Sequence, residues 1–274
     1  MASSATCGTA VVTGATSGIG KAVAIYLATQ GYNVVLAGRR AALGEEVVET
    51  IQAAGGQAIF CQTDVSKPSD MAQLFASAAE RFGHITLVIN NAGAEGTPVK
   101  LSDPGAQASY DDLMAINVRS VLTSLEHATP LLVASGGGAI INVSSGMSVM
   151  RVPETGPYTI SKAALDAVTR VAAVELAEQN IDVYSLNLYV FNTEMANRFA
   201  ARTGLSKAEL GAKLNPSGET GRPEDVAEFI LELISGGHAS RFKSGDCIAL
   251  DSRKKAGLVH YALPETLTAV PPSS

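Results

Sequence analysis

Thr9-Ala10-Val11-Val12-Thr13-Gly14-Ala15-Thr16-Ser17-Gly18-Ile19-Gly20 is the stretch on which the fold of this chain turns. Thr9–Thr13 is a short continuous run of the kind found in strands buried on both faces. Glycines in GxxxGxG spacing follow, and Ile19–Gln30 then carries an apolar pattern of helical period. Glycines at such a turn let the backbone bend tightly and approach a pyrophosphate, whose charge sits at the helix N-terminus. The spacing differs from the GxGxxG of many dinucleotide sites, and a glycine-rich turn alone can be purely structural. Its place between the first strand and the first helix of a β-α-β unit is what gives it weight.

Outward from this unit the alternation continues. Asn33–Ala37, Gln57–Gln62, Leu87–Asn90, Ala139–Ser144, Val183–Tyr189 and Cys247–Leu250 read as further strands. Ala42–Ala54, Pro68–Phe82, Tyr110–Ala134, Tyr158–Gln179 and Pro223–Ser235 read as helices. Strand–helix alternation throughout predicts an α/β fold: a Rossmann-like, doubly wound, parallel seven-stranded sheet with helices on both faces. Residues 1–251 are expected to form one such domain. Asn192–Glu219, polar and helix-forming, stands outside the alternation as a substrate lid, and residues 252–274 form a C-terminal extension.

The 274 residues suit one large core, and 46% hydrophobic content with 26 glycines fits a buried sheet with many tight turns. A net charge of −6, spread without runs, argues against nucleic acid or an anionic membrane as partner. No stretch approaches the roughly 20 apolar residues of a membrane span, and MASSATCG lacks the pattern of a secretory signal. Cys7, Cys61 and Cys247 lack metal-finger or CxxC spacing and read as small core thiols. His84, His127, His238 and His260 are scattered, so no metal site is expected. A reducing, cytoplasmic setting follows as the expectation.

Further motifs stand in register behind the glycine turn: Thr63-Asp64-Val65 after the third strand, and Asn90-Asn91-Ala92-Gly93 ending the fourth. With the glycine spacing, they resemble the short-chain dehydrogenase/reductase family, over roughly Thr9–Leu250. The resemblance implies that Gly14, Thr16, Ser17, Gly18, Ile19 and Gly20 cradle a dinucleotide. It makes Asp64, with Val65 beside it, the adenine contact, and Asn91-Ala92-Gly93 the support beside the adenosine half. In the family, an acid at the end of the second strand holds the ribose 2′-hydroxyl of NAD. Here Leu36-Ala37-Gly38-Arg39-Arg40 has glycine at that position and arginines next. A guanidinium pairs with a 2′-phosphate that a carboxylate would repel, so NADP(H) is the expected cofactor. The alternative is that Arg39 and Arg40 are the solvated start of a helix.

Tyr158 and Lys162, four residues apart, share one face of a helix. A tyrosine of pKa near 10 is a poor proton shuttle at neutrality, and a nearby ammonium favours its phenolate. YxxxK is common by chance. Thirteen residues after Ser145, which ends Ile141-Asn142-Val143-Ser144-Ser145, it is far more specific. The resemblance implies that Ser145 polarises a carbonyl, that Tyr158 yields its proton, and that Lys162 also meets the nicotinamide ribose. Ser144 is expected to bond the strand end. Asn117 resembles the asparagine that holds a helix kink and a water in the proton relay, and Thr193 resembles the threonine that reaches carboxamide or phosphates. The expected reaction is hydride transfer between nicotinamide and a carbonyl or secondary alcohol. C=N or C=C reduction on the same fold, or a non-catalytic dinucleotide-binding protein, are the alternatives.

Two departures stand out. Leu188 and Tyr189 occupy positions where the family usually has Pro-Gly, and Asp251-Ser252-Arg253 stands where it commonly has Asp-Gly-Gly. Tyr189 is expected either to wall the substrate pocket or to loosen the lid, with packing beneath the lid as the alternative. Met147, Met150, Tyr189, Phe191 and Phe199 suggest a small apolar or aromatic substrate, although core packing explains any one of them. Small and apolar residues such as Ala163, Ala164, Ala167, Val171 and Val174, on helices that pair across a two-fold axis in the family, imply a homodimer or homotetramer.

Overall fold

In the computed structural model, which describes residues 7–236, 241–251 and 256–259, the strand of the opening motif is buried at every residue. This is β1 (Thr9–Thr13), and its pleat sends alternate side chains to opposite faces. Ala10 and Val12 join an apolar cluster with Val34, Leu36, Val226 and Phe229. Val11 joins a second one with Val35, Leu74, Phe75 and Leu132. A strand apolar on both faces must be covered by helices on both sides.

Along the chain, α1 (Gly18–Thr29), β2 (Asn33–Gly38), α2 (Ala41–Ala53) and β3 (Gln57–Gln62) follow β1. Next come α3 (Pro68–Phe82), β4 (Ile85–Asn90), α4 (Ala106–Met114), α5 (Ser120–Ala134) and β5 (Gly138–Ser145). The chain continues with α6 (Gly156–Glu175), β6 (Ile181–Leu188), α7 (Glu194–Thr203), α8 (Lys207–Leu214) and α9 (Pro223–Ile234). It ends in β7 (Cys247–Leu250) and β8 (Ala256–Leu258). The strand order is β3-β2-β1-β4-β5-β6-β7-β8. Helices α1, α2 and α9 cover one face, and α3, α5 and α6 the other. Because the winding reverses between β1 and β4, a crevice opens at the carboxyl ends of these strands.

Among the described residues the sheet has eight strands rather than the expected seven. β8 runs antiparallel on β7, pairing Ile248 with Leu258 and Leu250 with Ala256. Three residues, one of them glycine, are too few to carry a periodic signal. The helix expected over Tyr110–Ala134 begins earlier, at Ala106, and is broken by a π-turn at Ala115–Arg119. Its apolar period runs through that turn, so the pattern alone does not reveal it. The helix expected over Tyr158–Gln179 starts at Gly156 and ends at Glu175, with a separate 3-10 turn at Ala177–Gln179. β6 stops at Leu188, one residue before its expected end.

All three cysteines are free thiols, but only Cys247 is buried. Cys61 is half-buried and Cys7 is exposed, which corrects the expectation of core thiols. Among the described residues no His/Cys/Asp/Glu group is arranged to hold a metal, and no helix is long and apolar enough to cross a membrane. The expected turn at Ser252–Arg253, the tail from residue 260, His238 and His260 lie outside the described residues.

Candidate active site

The glycine turn is shaped by what its neighbours leave no room for. Gly14 and Gly18 adopt φ of 66° and 54°, which disfavours a side chain. A Cβ at Gly14 would stand 2.8 Å from Asn91 Nδ2, and one at Gly20 would collide with the same amide and with the Gly14 carbonyl. Gly20 therefore packs the turn onto β4. Asn91 Nδ2 donates to the Thr13 carbonyl at 2.8 Å, while Thr13 Oγ1 accepts the backbone N–H groups of Asn91 and Ala92, both at 3.0 Å. Ser17 stands at the N-cap of α1 without a side-chain cap bond, and no acid occupies the first turn. The leading N–H groups of α1 thus keep their capacity for an anion. This is the feature that a dinucleotide pyrophosphate requires. Ser17, Gly18 and Ile19 line a cleft of about 500 Å³ there.

At the end of β2, a Cβ on Gly38 would meet the Thr16 methyl at 2.7 Å, so no acidic side chain fits at this position as packed. Arg40 is engaged: its guanidinium donates to Thr16 Oγ1 (2.9 Å) and Ser17 Oγ (2.6 Å) and lies 3.5 Å from Glu194. Arg39 also lines the cleft, and its backbone carbonyl accepts from Gln62 Nε2 at 3.1 Å. Asp64 lines the same end with Val65. Hydrogen bonds from Ser66 hold its carboxyl below the usual range, and the charges of Arg39 and Lys67 add to this.

At the other end of the cleft β5 delivers Ser145, whose Oγ accepts the Met147 N–H at 3.2 Å and caps a short turn over Gly146–Ser148. The hydroxyl hydrogen of Ser145 thus remains to be given, and Ser145 is hydrogen-bonded to Tyr158. Lys162 is 4% exposed. Its Nζ donates to the Val143 carbonyl at 2.9 Å and lies 5.8 Å from the centre of the Tyr158 ring. Burial pushes the Tyr158 phenol up to about 12, the Ser145 bond opposing and Glu95 adding, and it pushes Lys162 down to about 8. At Tyr158 burial therefore favours the protonated phenol.

Asn117 lies in the π-turn rather than in the cleft wall. Its Nδ2 donates to the Ala94 carbonyl and to Ser161 Oγ, and its Oδ1 accepts the Ala94 N–H, all at 2.9 Å. Gly93 separates it from the lysine: a Cβ there would stand 3.2 Å from Asn117 Oδ1 and 3.4 Å from Lys162 Nζ. Ser144 Oγ donates to the Lys162 carbonyl at 3.3 Å and accepts from Asn187 Nδ2, near the end of β6, at 3.5 Å.

The segment expected to form a lid contains α7 and α8. Thr193 caps α7, its Oγ1 accepting the Ala196 N–H at 3.2 Å, and its methyl faces Gly18 across the cleft. Tyr189 lines the cleft, and its ring lies so close to Gly146 that a Cβ there would meet it at 3.0 Å. Without proline or glycine, β6 stays in register with β5 as far as Ser145 opposite Leu188, and the Tyr189 N–H reaches the Leu250 carbonyl. Met147, Met150 and Phe199 line the same end, as does Phe191, which is otherwise buried. Sequence reasoning missed Glu95, which lines the cleft and pairs with Arg198 (3.0 Å) and Arg202 (3.5 Å) of α7. The only signal in the chain is the i,i+4 spacing of the two arginines, which does not name their partner.

A family model described as short chain dehydrogenase matches residues 8–203. The cyclohexanol dehydrogenase of Acinetobacter sp. (strain SE19) is 32% identical over 226 residues, covering 82% of this chain and 87% of that one. A 7 alpha-hydroxysteroid dehydrogenase complexed with NADH and 7-oxo glycochenodeoxycholic acid superposes with a TM-score of 0.80 at 28% identity, over 90% of this chain and 93% of that one. An actinorhodin polyketide ketoreductase solved with NADPH gives 0.82 at 26% identity, over 92% and 98%.

Proposed function

The chain belongs to the short-chain dehydrogenase family of oxidoreductases, which use a nicotinamide cofactor, and from that premise we propose that it is an NADP(H)-dependent enzyme interconverting a carbonyl and a secondary alcohol. The observation that carries this reading is the meeting of Ser145, Tyr158 and Lys162 in one cleft with the uncapped start of α1. The glycine turn and the α1 N-terminus would hold the pyrophosphate, Asp64 and Val65 the adenine, and Arg39 the 2′-phosphate. Asn91, Ala92 and Gly93 would support the adenosine half, and Thr193 and Lys162 the nicotinamide half. Preference for NADP(H) rests on Gly38, where an acid does not fit, and on Arg39 beside it.

The bound cofactor supplies or accepts the hydride. Everything else falls to this chain's own side chains. Ser145, whose oxygen accepts the Met147 N–H, has one hydroxyl hydrogen, which it would donate to the substrate oxygen. Tyr158, with its proton held by burial, is a general acid for reduction and must be deprotonated for oxidation. Lys162 places positive charge beneath Tyr158 as the oxygen proton leaves. Asn117 holds the loop after β4 against α6, which fixes the floor on which the proton is restored.

The methionines and aromatic rings around Ser145 favour a small apolar or aromatic carbonyl compound. Three relatives named for cyclohexanol, a hydroxysteroid and a polyketide are in keeping with that class. The test is consumption of NADPH over a panel of cyclic, aromatic and short aliphatic ketones. Turnover of cyclic or aromatic ketones is expected, and no turnover of any ketone would contradict the reading.

A cytoplasmic setting and a homodimer or homotetramer complete the proposal. On α5 and α6, Leu122, Val171 and Val174 are 50%, 56% and 78% exposed, an apolar surface suited to a second copy. Light scattering at micromolar concentration should give a dimer or tetramer, and a monomer would count against it.

A further inference from the structure

Behind the cleft, one turn beyond Lys162 on α6, lies a carboxylate that the proposed reaction does not use. Asp166 is fully buried, as are Ser185 and Asn187 on the adjoining face of β6. Ser185 Oγ donates to Asp166 Oδ1 at 2.8 Å, and Asn187 Nδ2 donates to Asp166 Oδ2 at 2.7 Å. A carboxylate only accepts, so Asp166 dictates which end of the Asn187 amide faces it. The remaining N–H of that amide then points at the turn that carries Ser145. It reaches Ser148 Oγ at 2.8 Å, with the Ser145 carbonyl at 3.3 Å and Ser144 Oγ at 3.5 Å. Ser144 in turn donates to the Lys162 carbonyl, closing a ring of polar contacts between α6, β6 and the Ser145 turn.

We propose that Asp166 and Asn187 are positioning residues: through Asn187, Asp166 fixes the Gly146–Ser148 turn and hence Ser145, and through space it holds the Lys162 ammonium. The proposal rests on the roles assigned above to Ser145 and Lys162. A buried carboxylate without such a task is costly, because its desolvation is rarely repaid in stability. Asp166 lies four residues from Lys162 on the same helix, both side chains are buried, and among the described groups it opposes the downward push of burial on the amine. Tyr158 presents its ring from the same helix, and Glu95, after β4, acts on Tyr158. β5 contributes the Val143 carbonyl, and β6 contributes Ser185 and Asn187, none of which titrates. Arg170, the next charge along α6, donates to Cys247 Sγ on β7 at 3.6 Å.

Two measurements separate the halves of the proposal. In the cofactor-free chain, NMR titration of labelled lysine side chains, with Lys162 assigned through Lys162→Met, needs no turnover. Wild type should titrate at about pH 8, and Asp166→Asn should lower the midpoint, since the carboxylate's charge favours the ammonium. An unmoved midpoint overturns the Lys162 half, even if no ketone is ever reduced. Asn187→Ala should leave the Lys162 midpoint in place while lowering kcat about tenfold or more at unchanged KM, because a loosened Ser145 misplaces a donor without removing it. A kcat within twofold of wild type overturns the Ser145 half. If Asp166→Asn does not fold, the same titration of Asp166→Ser decides the Lys162 half, and Asn187→Ala still decides the Ser145 half.

Discussion

The two ends of the cleft are built by different means. At the glycine end the backbone does the work: Gly14 and Gly20 pack on Asn91, Gly38 packs on Thr16, and α1 offers uncapped N–H groups. At the lid end side chains from distant segments do it. Glu95 holds Arg198 and Arg202, Tyr189 lies on Gly146, and Asn215 clasps the Val190 backbone at 2.8 and 2.9 Å. The first end tolerates few residue types, because a single Cβ would collide with it. The second depends on exposed ion pairs and apolar contacts, which many residue combinations can replace. A fixed cofactor site beside an adjustable substrate site is what that contrast predicts.

Between the two ends sits the chemistry, and there the largest effect is expected. Tyr158→Phe removes the proposed acid and leaves Ser145 as a hydrogen-bond donor to the substrate oxygen. Turnover should fall by about 10²–10⁴-fold, the usual worth of a positioned acid, while NADPH still binds. Lys162→Ala should damage both, since its amine serves both ends. Retained ketone reduction in Tyr158→Phe, followed by cofactor oxidation, would break the division of labour.

At the cofactor end, Arg39→Ala should cost NADPH about 1.5–3 kcal/mol of binding, the worth of a charge-assisted contact, and leave NADH nearly unaffected. Arg40 is already committed to Thr16, Ser17 and Glu194, so Arg40→Ala should weaken both cofactors alike. Binding titrations with each cofactor check this. Equal losses for NADPH and NADH in Arg39→Ala would show that Arg39 does not read the 2′-phosphate.

How much of this was legible in the chain follows the same contrast. The glycine turn could be read from its spacing between a strand and a helix, and Asp64, the Asn91 motif and the Ser145–Tyr158–Lys162 spacing through the family resemblance they carry together; all of them line one cleft. Glu95 with its arginines, and Asp166 with Asn187, could not. Each is an ordinary polar residue until folding brings a partner from far along the chain. Asp166 and Asn187 are separated by 21 positions, and Glu95 and Arg198 by 103. β8 escaped for another reason: three residues on a sheet edge have too little pattern. The kink at Asn117 was expected only from the resemblance, because the one extra residue of the π-turn hardly disturbs an apolar period.

The smallest effect is expected at the lid end. Restoring Leu188→Pro with Tyr189→Gly removes the ring from Gly146 and narrows the turn. KM and the order of preference among ketones should change severalfold, with NADPH affinity near that of wild type. A folded double variant with an unchanged substrate profile would show that Tyr189 is no pocket wall, and the contrast would lose its adjustable half.

The central claim is that a hydride passes between NADP(H) and a carbonyl carbon in this cleft. Incubating the protein with a cyclic or aromatic ketone and NADPH deuterated at nicotinamide C4, and reading the alcohol by mass spectrometry, tests it directly. Deuterium on the carbinol carbon, delivered from one face of the nicotinamide and lost in Tyr158→Phe, is the predicted result. Alcohol without deuterium from either C4 position, or deuterated alcohol formed equally well by Tyr158→Phe, would contradict the account.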